Sequence, residues 1–281
     1  MSTTDRALLF RQLHAANADA LLVLPNAWDA MSARVVEAAG ARAIATTSAG
    51  ISWALGFPDG QGLTREAMID AVRCIVHAVR IPVTADIESG YGDGSPSAVA
   101  ETVRGIIAAG AIGVNLEDSP GRDGAALLDV AVQSVRLSAA RDAAAASGVP
   151  AFINARVDTY LRQVGDANDR FDETVRRARA YVAAGADGVF VPLAPDADTI
   201  RRLAASVGAP LNVIAGPGSP SVTELRALGV ARVSVGPGLA RSVMAHIRHA
   251  ATELLGAGTY EALREQISSP EANALFAARA T

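Results

Sequence analysis

The stretch Ile81-Pro82-Val83-Thr84-Ala85-Asp86-Ile87-Glu88-Ser89-Gly90-Tyr91-Gly92 decides the fold. A short apolar run ends on two carboxylates one residue apart, and the glycines behind them let backbone approach a ligand closely. On an extended strand Asp86 and Glu88 point to the same side. Seven further β-rich runs occur at 20–25, 43–47, 112–116, 150–154, 188–192, 211–214 and 232–235, each separated from the next by a helical pattern. Such alternation is expected of a parallel sheet, and eight repeats close it. The chain therefore reads as α/β, a (β/α)8 TIM-type barrel, with 1–281 as a single domain and a helical extension over about 239–281. Helix signals agree: Asp29 precedes 30–39 with Gly40 after it, and Ser221 precedes 222–228 with Gly229 after it.

Composition removes several chemistries. All 25 basic side chains are arginine, so no lysine amine exists for a Schiff-base aldolase or a pyridoxal enzyme. The single cysteine, Cys74, lies in a helical pattern and is expected to be buried, inert packing. His14, His77, His246 and His249 all fall in helical segments, away from strand ends, so no histidine acid–base dyad is expected. A formal charge of −4 and the lack of a basic cluster argue against nucleic acid. Residues 2–16 carry Asp5, Arg6 and Arg11 in an amphipathic pattern, unlike a signal peptide or a membrane span; a soluble, cytoplasmic protein with a small-molecule partner is expected.

In such a barrel the active site is assembled from the loops after each strand. Those positions hold Asn26, Trp28 and Asp29; Thr47, Ser48 and Ala49; Asp86 and Glu88; Glu117 and Asp118; Asn154, Arg156 and Asp158; Asn212; and Gly236 with Pro237. The carboxylate set suits a hard divalent cation, Mg²⁺ or Mn²⁺, rather than zinc. A mouth this acidic needs a cation to accept an anionic substrate, and Arg156 explains how an anionic group is held. The plainer alternative for Arg156 is a salt bridge to Asp158, or to Glu117 across the barrel.

Six segments in order resemble the isocitrate lyase/phosphoenolpyruvate mutase superfamily: Leu24-Pro25-Asn26-Ala27-Trp28-Asp29, Thr47-Ser48-Ala49-Gly50, Gly56-Phe57-Pro58-Asp59-Gly60, the Asp86 to Gly92 motif, Asn115-Leu116-Glu117-Asp118 and Asn154-Ala155-Arg156-Val157-Asp158. The resemblance implies Mg²⁺ (or Mn²⁺) at the strand ends and a last helix exchanged between subunits of a homotetramer, a dimer of dimers. It implies Asp86 as the direct metal ligand, with Asp59, Glu88 and Glu117 holding metal-bound waters; Glu88 replaces the usual aspartate. It implies that Ser48 and the Ala49 amide receive the substrate carboxylate, that Arg156 binds the anionic group, and that Asn212 and Pro237 line the far wall.

The loop after the fourth strand, Ser119-Pro120-Gly121-Arg122-Asp123-Gly124, lacks the lyases' Lys-Lys-Cys-Gly-His-like motif and the mutases' Lys-x-Asn-Ser-like segment. It is expected to be a mobile lid in which Arg122 and Asp123 are the charged groups. The catalytic set is thus Arg156, Asp59, Glu117 and Arg122. The implied activity is Mg²⁺-dependent cleavage of a C–C bond, by a lyase or decarboxylase, beside a small 2-oxo or 2-hydroxy acid through an enolate. The alternatives are a C–P bond enzyme (phosphonopyruvate hydrolase or phosphoenolpyruvate mutase-like), a flavin or sugar-phosphate barrel using Gly216-Pro217-Gly218 and Gly236-Pro237-Gly238, and a non-catalytic metabolite-binding barrel.

Overall fold

The computed structural model describes residues 1–15, 21–60, 62–120 and 127–277. In chain order the elements are α1 (Thr3–Ala15), β1 (Leu22–Leu24), β2 (Asn26–Ala27), α2 (Ala30–Ala38), β3 (Ile44–Thr46), α3 (Ser48–Ala54), α4 (Arg65–Ala78), β4 (Val83–Asp86), α5 (Pro96–Ala108), β5 (Gly113–Glu117), α6 (Val130–Ala146), β6 (Phe152–Arg156), α7 (Arg170–Ala183), β7 (Gly188–Val191), α8 (Ala197–Ser206), β8 (Leu211–Ile214), α9 (Val222–Ala227), β9 (Arg232–Ser234), α10 (Gly238–Gly256) and α11 (Ser269–Ala277).

All strand pairs are parallel, in the order β1-β9-β8-β7-β6-β5-β4-β3-β2. The two ends of that order are halves of one strand. Pro25 has no N–H to give the ladder, so the first expected run divides there: Leu22–Leu24 pairs with β9 and Asn26–Ala27 with β3. The barrel is thereby closed, and the other seven expected runs coincide with β3 to β9 to within two residues at either end.

Side-chain parity separates two environments. Val114 and Leu116 on β5, Ile153 and Ala155 on β6, and Val189 and Val191 on β7 face outward into the apolar layer shared with the helices. Their neighbours Asn115, Asn154 and Asn212 turn inward and bond to one another. At the N-terminal end of the barrel α1 acts as a plug, with Phe10 and Leu13 packed against Leu22, Leu24, Ile112 and Phe152. Arg11 fastens it through the Pro150 carbonyl (2.7 Å) and Asp187 (2.8 Å). The histidines lie in helices as expected. His14 is stacked on Phe152, and burial first, then Arg232, pulls its pKa down to about 3, a packing residue rather than an acid–base group.

Cys74 is exposed, contrary to expectation, because the buried stripe of α4 runs through Met68, Val72, Ile75 and Val76 and position 74 falls off it. The C-terminal segment holds two helices: α10 ends at Gly256, Gly258 adopts φ +69°, and α11 begins at Ser269. Ala240 is the buried residue of α10, while Val243, Met244, Ile247 and Leu255 along it are exposed. Val23 on β1, where a barrel strand should meet a covering helix, is 40% exposed.

Candidate active site

At the C-terminal ends of the strands a cavity of about 500 Å³ is lined by Ser48, Ala49, Asp59, Asp86, Asn115, Arg156 and Pro237, with Leu161, Phe190 and Ile214 forming an apolar wall. Asp86 closes β4, and its Oδ2 accepts from Ser48 Oγ (2.8 Å) and Ser48 N (3.3 Å). Its own backbone N–H donates to Thr46 Oγ1 at 2.9 Å. The carboxylate is thus pinned from the first turn of α3, while Ala49, in the same turn, presents an amide that helix geometry leaves without an i−4 acceptor.

Beyond Asp86 the strand geometry that would place Glu88 beside it is absent. Glu88 (φ 50°) and Tyr91 (φ 58°) are both left-handed, with Gly90 (φ 95°) between them, and each non-glycine residue so held costs about 1 kcal/mol. A Cβ on Gly90 would also lie 2.7 Å from Val99 Cγ2, so only glycine fits there. The coil brings the Tyr91 hydroxyl to Glu88 Oε1 at 3.1 Å, and both side chains are buried. Burial, then the charges of Glu88 and Asp86, push the Tyr91 phenol up, so it acts as a donor. Strain of this kind concentrates where geometry serves function.

The second acidic pair divides. Glu117 is 9% exposed and faces Arg156, whose Nη1 lies 2.7 Å from Glu117 Oε2. Asp118 has the opposite parity and turns outward, accepting from Arg177 Nη1 (3.1 Å), Tyr181 OH (2.8 Å) and Asp158 N (2.9 Å). It is a buried brace between β5 and α7, not part of a cation site. Arg156 makes both bridges of its plainer reading, with Nε and Nη2 on Asp158 at 2.6 and 3.0 Å in addition to Glu117. It nevertheless lines the cavity. Burial works against its charge, but Glu117, Asp158 and Asp86 outweigh that and raise its pKa.

Burial pushes Glu117 up to about 8, with Asp158, Asp86 and Glu88 adding to the rise and Arg156 opposing it. Among the described residues no three acidic, cysteine or histidine side chains form a direct-ligand cluster. The residues fit a cation held by Asp86 directly, with the other carboxylates acting through water: every donor is oxygen, and a positive charge there would offset the burial and the neighbouring carboxylates that raise Glu117.

Of the remaining expected site residues, Asp59 lies exposed at the rim and Pro237 on the wall. Asn212 is 1% exposed and lies within the barrel, where its Oδ1 accepts from Asn154 Nδ2 at 3.1 Å. Arg122 and most of its loop, 121–126, lie outside the described residues. Sequence reasoning missed Tyr91 and Asn115. The signals were Tyr91 three residues after Glu88, and Asn115 two before Glu117 on the same strand face.

A parallel barrel with strand-end carboxylates around one arginine defines a class of enzyme acting on small anions. Residues 10–255 match the phosphoenolpyruvate phosphomutase family, and the chain belongs to that family, within the isocitrate lyase/phosphoenolpyruvate mutase superfamily. An uncharacterised protein of Mycobacterium tuberculosis is 43% identical over 76% of this chain and 77% of its own length. The 2-methylisocitrate lyase of Halalkalibacterium halodurans is 29% identical over 75% and 67%. Among solved structures, a candidate lyase/mutase of Burkholderia cenocepacia superposes with a TM-score of 0.90 at 40% identity, covering 98% of this chain and 96% of that one. A 2,3-dimethylmalate lyase of the same superfamily gives 0.84 at 26% identity over 97% and 95%.

Proposed function

We propose that the protein is a Mg²⁺- or Mn²⁺-dependent enzyme that cleaves a C–C bond, as lyase or decarboxylase, beside a small 2-oxo or 2-hydroxy acid. The observation that carries this reading is the pinned Asp86 facing the same cavity as Arg156 and the Ala49 amide. A bound cation would supply the positive charge that stabilises the enolate left when the bond breaks. Asp86 would hold it, with Asp59, Glu88 and Glu117 orienting its waters. The Ala49 amide and Ser48 would bind the substrate carboxylate, and Ser48 would have to share its hydroxyl with Asp86. Arg156, already braced by Asp158, would meet the second anionic oxygen with a planar fork. Pro237 and the apolar wall around Phe190 would exclude water from it.

Decarboxylation is placed first, since carbon dioxide departs without an acid, and the loop 119–124 offers no cysteine, lysine or histidine. The lyases among the relatives support C–C cleavage; the family to which the chain belongs keeps C–P cleavage as the second reading. The protein would act as a cytoplasmic homotetramer, with α10 exchanged between subunits so that it covers Val23 of its neighbour. The described residues contain no helix long and apolar enough to cross a membrane. Calorimetry with Mn²⁺ and then oxalate, an enolpyruvate mimic, tests the site: one ion and one oxalate per chain are expected, and absence of oxalate binding would refute the proposal.

A further inference from the structure

Beneath the cavity the barrel holds a polar layer that the proposed chemistry leaves unused. Asn115 pairs in register with Asp86 across β4 and β5, and it lines the cavity although only 6% exposed. Its Oδ1 accepts from two donors below, Asn154 Nδ2 at 2.9 Å and Arg232 Nη2 at 3.2 Å. The amide's other end, Nδ2, has no protein acceptor among the described residues. An amide flipped the other way would set its N–H₂ against two donors, so the network fixes the polarity.

Arg232 itself is unusual. It is 1% exposed, packs over Phe10 at 5.9 Å, and leaves Nε and Nη1 without partners among the described residues. A buried guanidinium so poorly satisfied is costly to the fold. Among the described residues its side-chain bond goes to Asn115, and Asn154 is anchored in turn on Asn212 Oδ1.

We infer that Asn115 is a substrate-contacting donor whose Nδ2 is held toward the cavity, beside Asp86, by Arg232 and Asn154 beneath it. The partner is an anionic oxygen of the 2-oxo or 2-hydroxy acid, so the inference rests on the proposed function. Arg232 is the positioning residue: it fixes which end of the amide faces the substrate.

Asn115→Asp separates this role from a structural one. The carboxylate keeps an acceptor for Asn154 and Arg232 but replaces the N–H donor with a second acceptor. Melting temperature and Mn²⁺ affinity should not fall, while oxalate affinity in the presence of Mn²⁺ should drop about 10- to 100-fold. Arg232→Met, which frees the amide to turn, should also weaken oxalate without weakening Mn²⁺ binding. Wild-type oxalate affinity per folded Asn115→Asp molecule, whatever its melting temperature, would overturn the donor role. Wild-type affinity in Arg232→Met would overturn the positioning role. A wild-type protein that binds no oxalate would remove the proposed function, and this inference with it.

Discussion

At the scale of single residues, Arg156 carries two loads. It bridges Glu117 and Asp158 in the free protein and faces the cavity. Lysine keeps the charge but cannot reach both carboxylates with a planar fork. Arg156→Lys is therefore expected to lose turnover by about 100-fold, the scale of a displaced charge-stabilising group, and also to melt earlier, since the ammonium keeps the charge but gives up at least one hydrogen bond to a charged group, worth about 1.5–3 kcal/mol. Wild-type kcat/KM per folded molecule, with early melting alone, would leave Arg156 a purely structural ion pair. Glu117 sets a pH dependence. Unfolded it ionises near 4.5, whereas in the fold it keeps its proton to about 8. Between those values the folded chain binds more protons, so the metal-free protein loses stability as pH rises from about 4.5 to about 8. Melting in chelator should show this decline in wild type, and Glu117→Gln should reduce it; an equal slope in both would contradict the assignment. The pairing of Arg156 with Asp158 or Glu117 was legible as one of two readings, because strand-end spacing placed all three at the mouth. The division of Glu117 from Asp118 follows from strand parity. The left-handed turn that presents Glu88 to Tyr91 was not legible, since neither residue type favours φ > 0.

At the scale of elements, the eight β-rich runs emerged because buried parallel strands are continuously apolar on the helix-facing side and polar only where they meet the barrel interior. Pro25 was read within a strand, and its missing N–H instead splits that strand between two neighbours. The interruption between α10 and α11 was hidden by apolar residues continuing through it. Val243, Met244 and Ile247 along α10 are exposed, as is Val23 on β1, and the proposed exchange of α10 between subunits would bury them. If the proposed tetramer forms, Ile247→Glu should convert it to smaller species by light scattering; an unchanged mass, or a wild-type monomer, would remove the exchanged helix from the account.

For the molecule as a whole, the chemistry is divided between two layers of one barrel. Asp86, Glu117 and Arg156 are the last residues of β4, β5 and β6, and beneath them lies a polar tier that runs from Asn212 through Asn154 and Arg232 to Asn115, the residue inferred to face the substrate. The α1 plug closes the opposite end, so the cavity opens on the strand-end side. Substrate identity is the part least legible from residues, because many small acids share the one carboxylate and one adjacent oxygen that such a site recognises. The direct test of C–C cleavage is product analysis by NMR, with a panel of 2-oxo and 2-hydroxy acids and phosphonopyruvate supplied to wild type and Asp86→Ala, in Mg²⁺ and in chelator. The account predicts that wild type with Mg²⁺ converts at least one C–C substrate to a shorter acid, and that chelator or Asp86→Ala abolishes this. Conversion that survives both, or release of phosphate from phosphonopyruvate as the sole reaction, would contradict it.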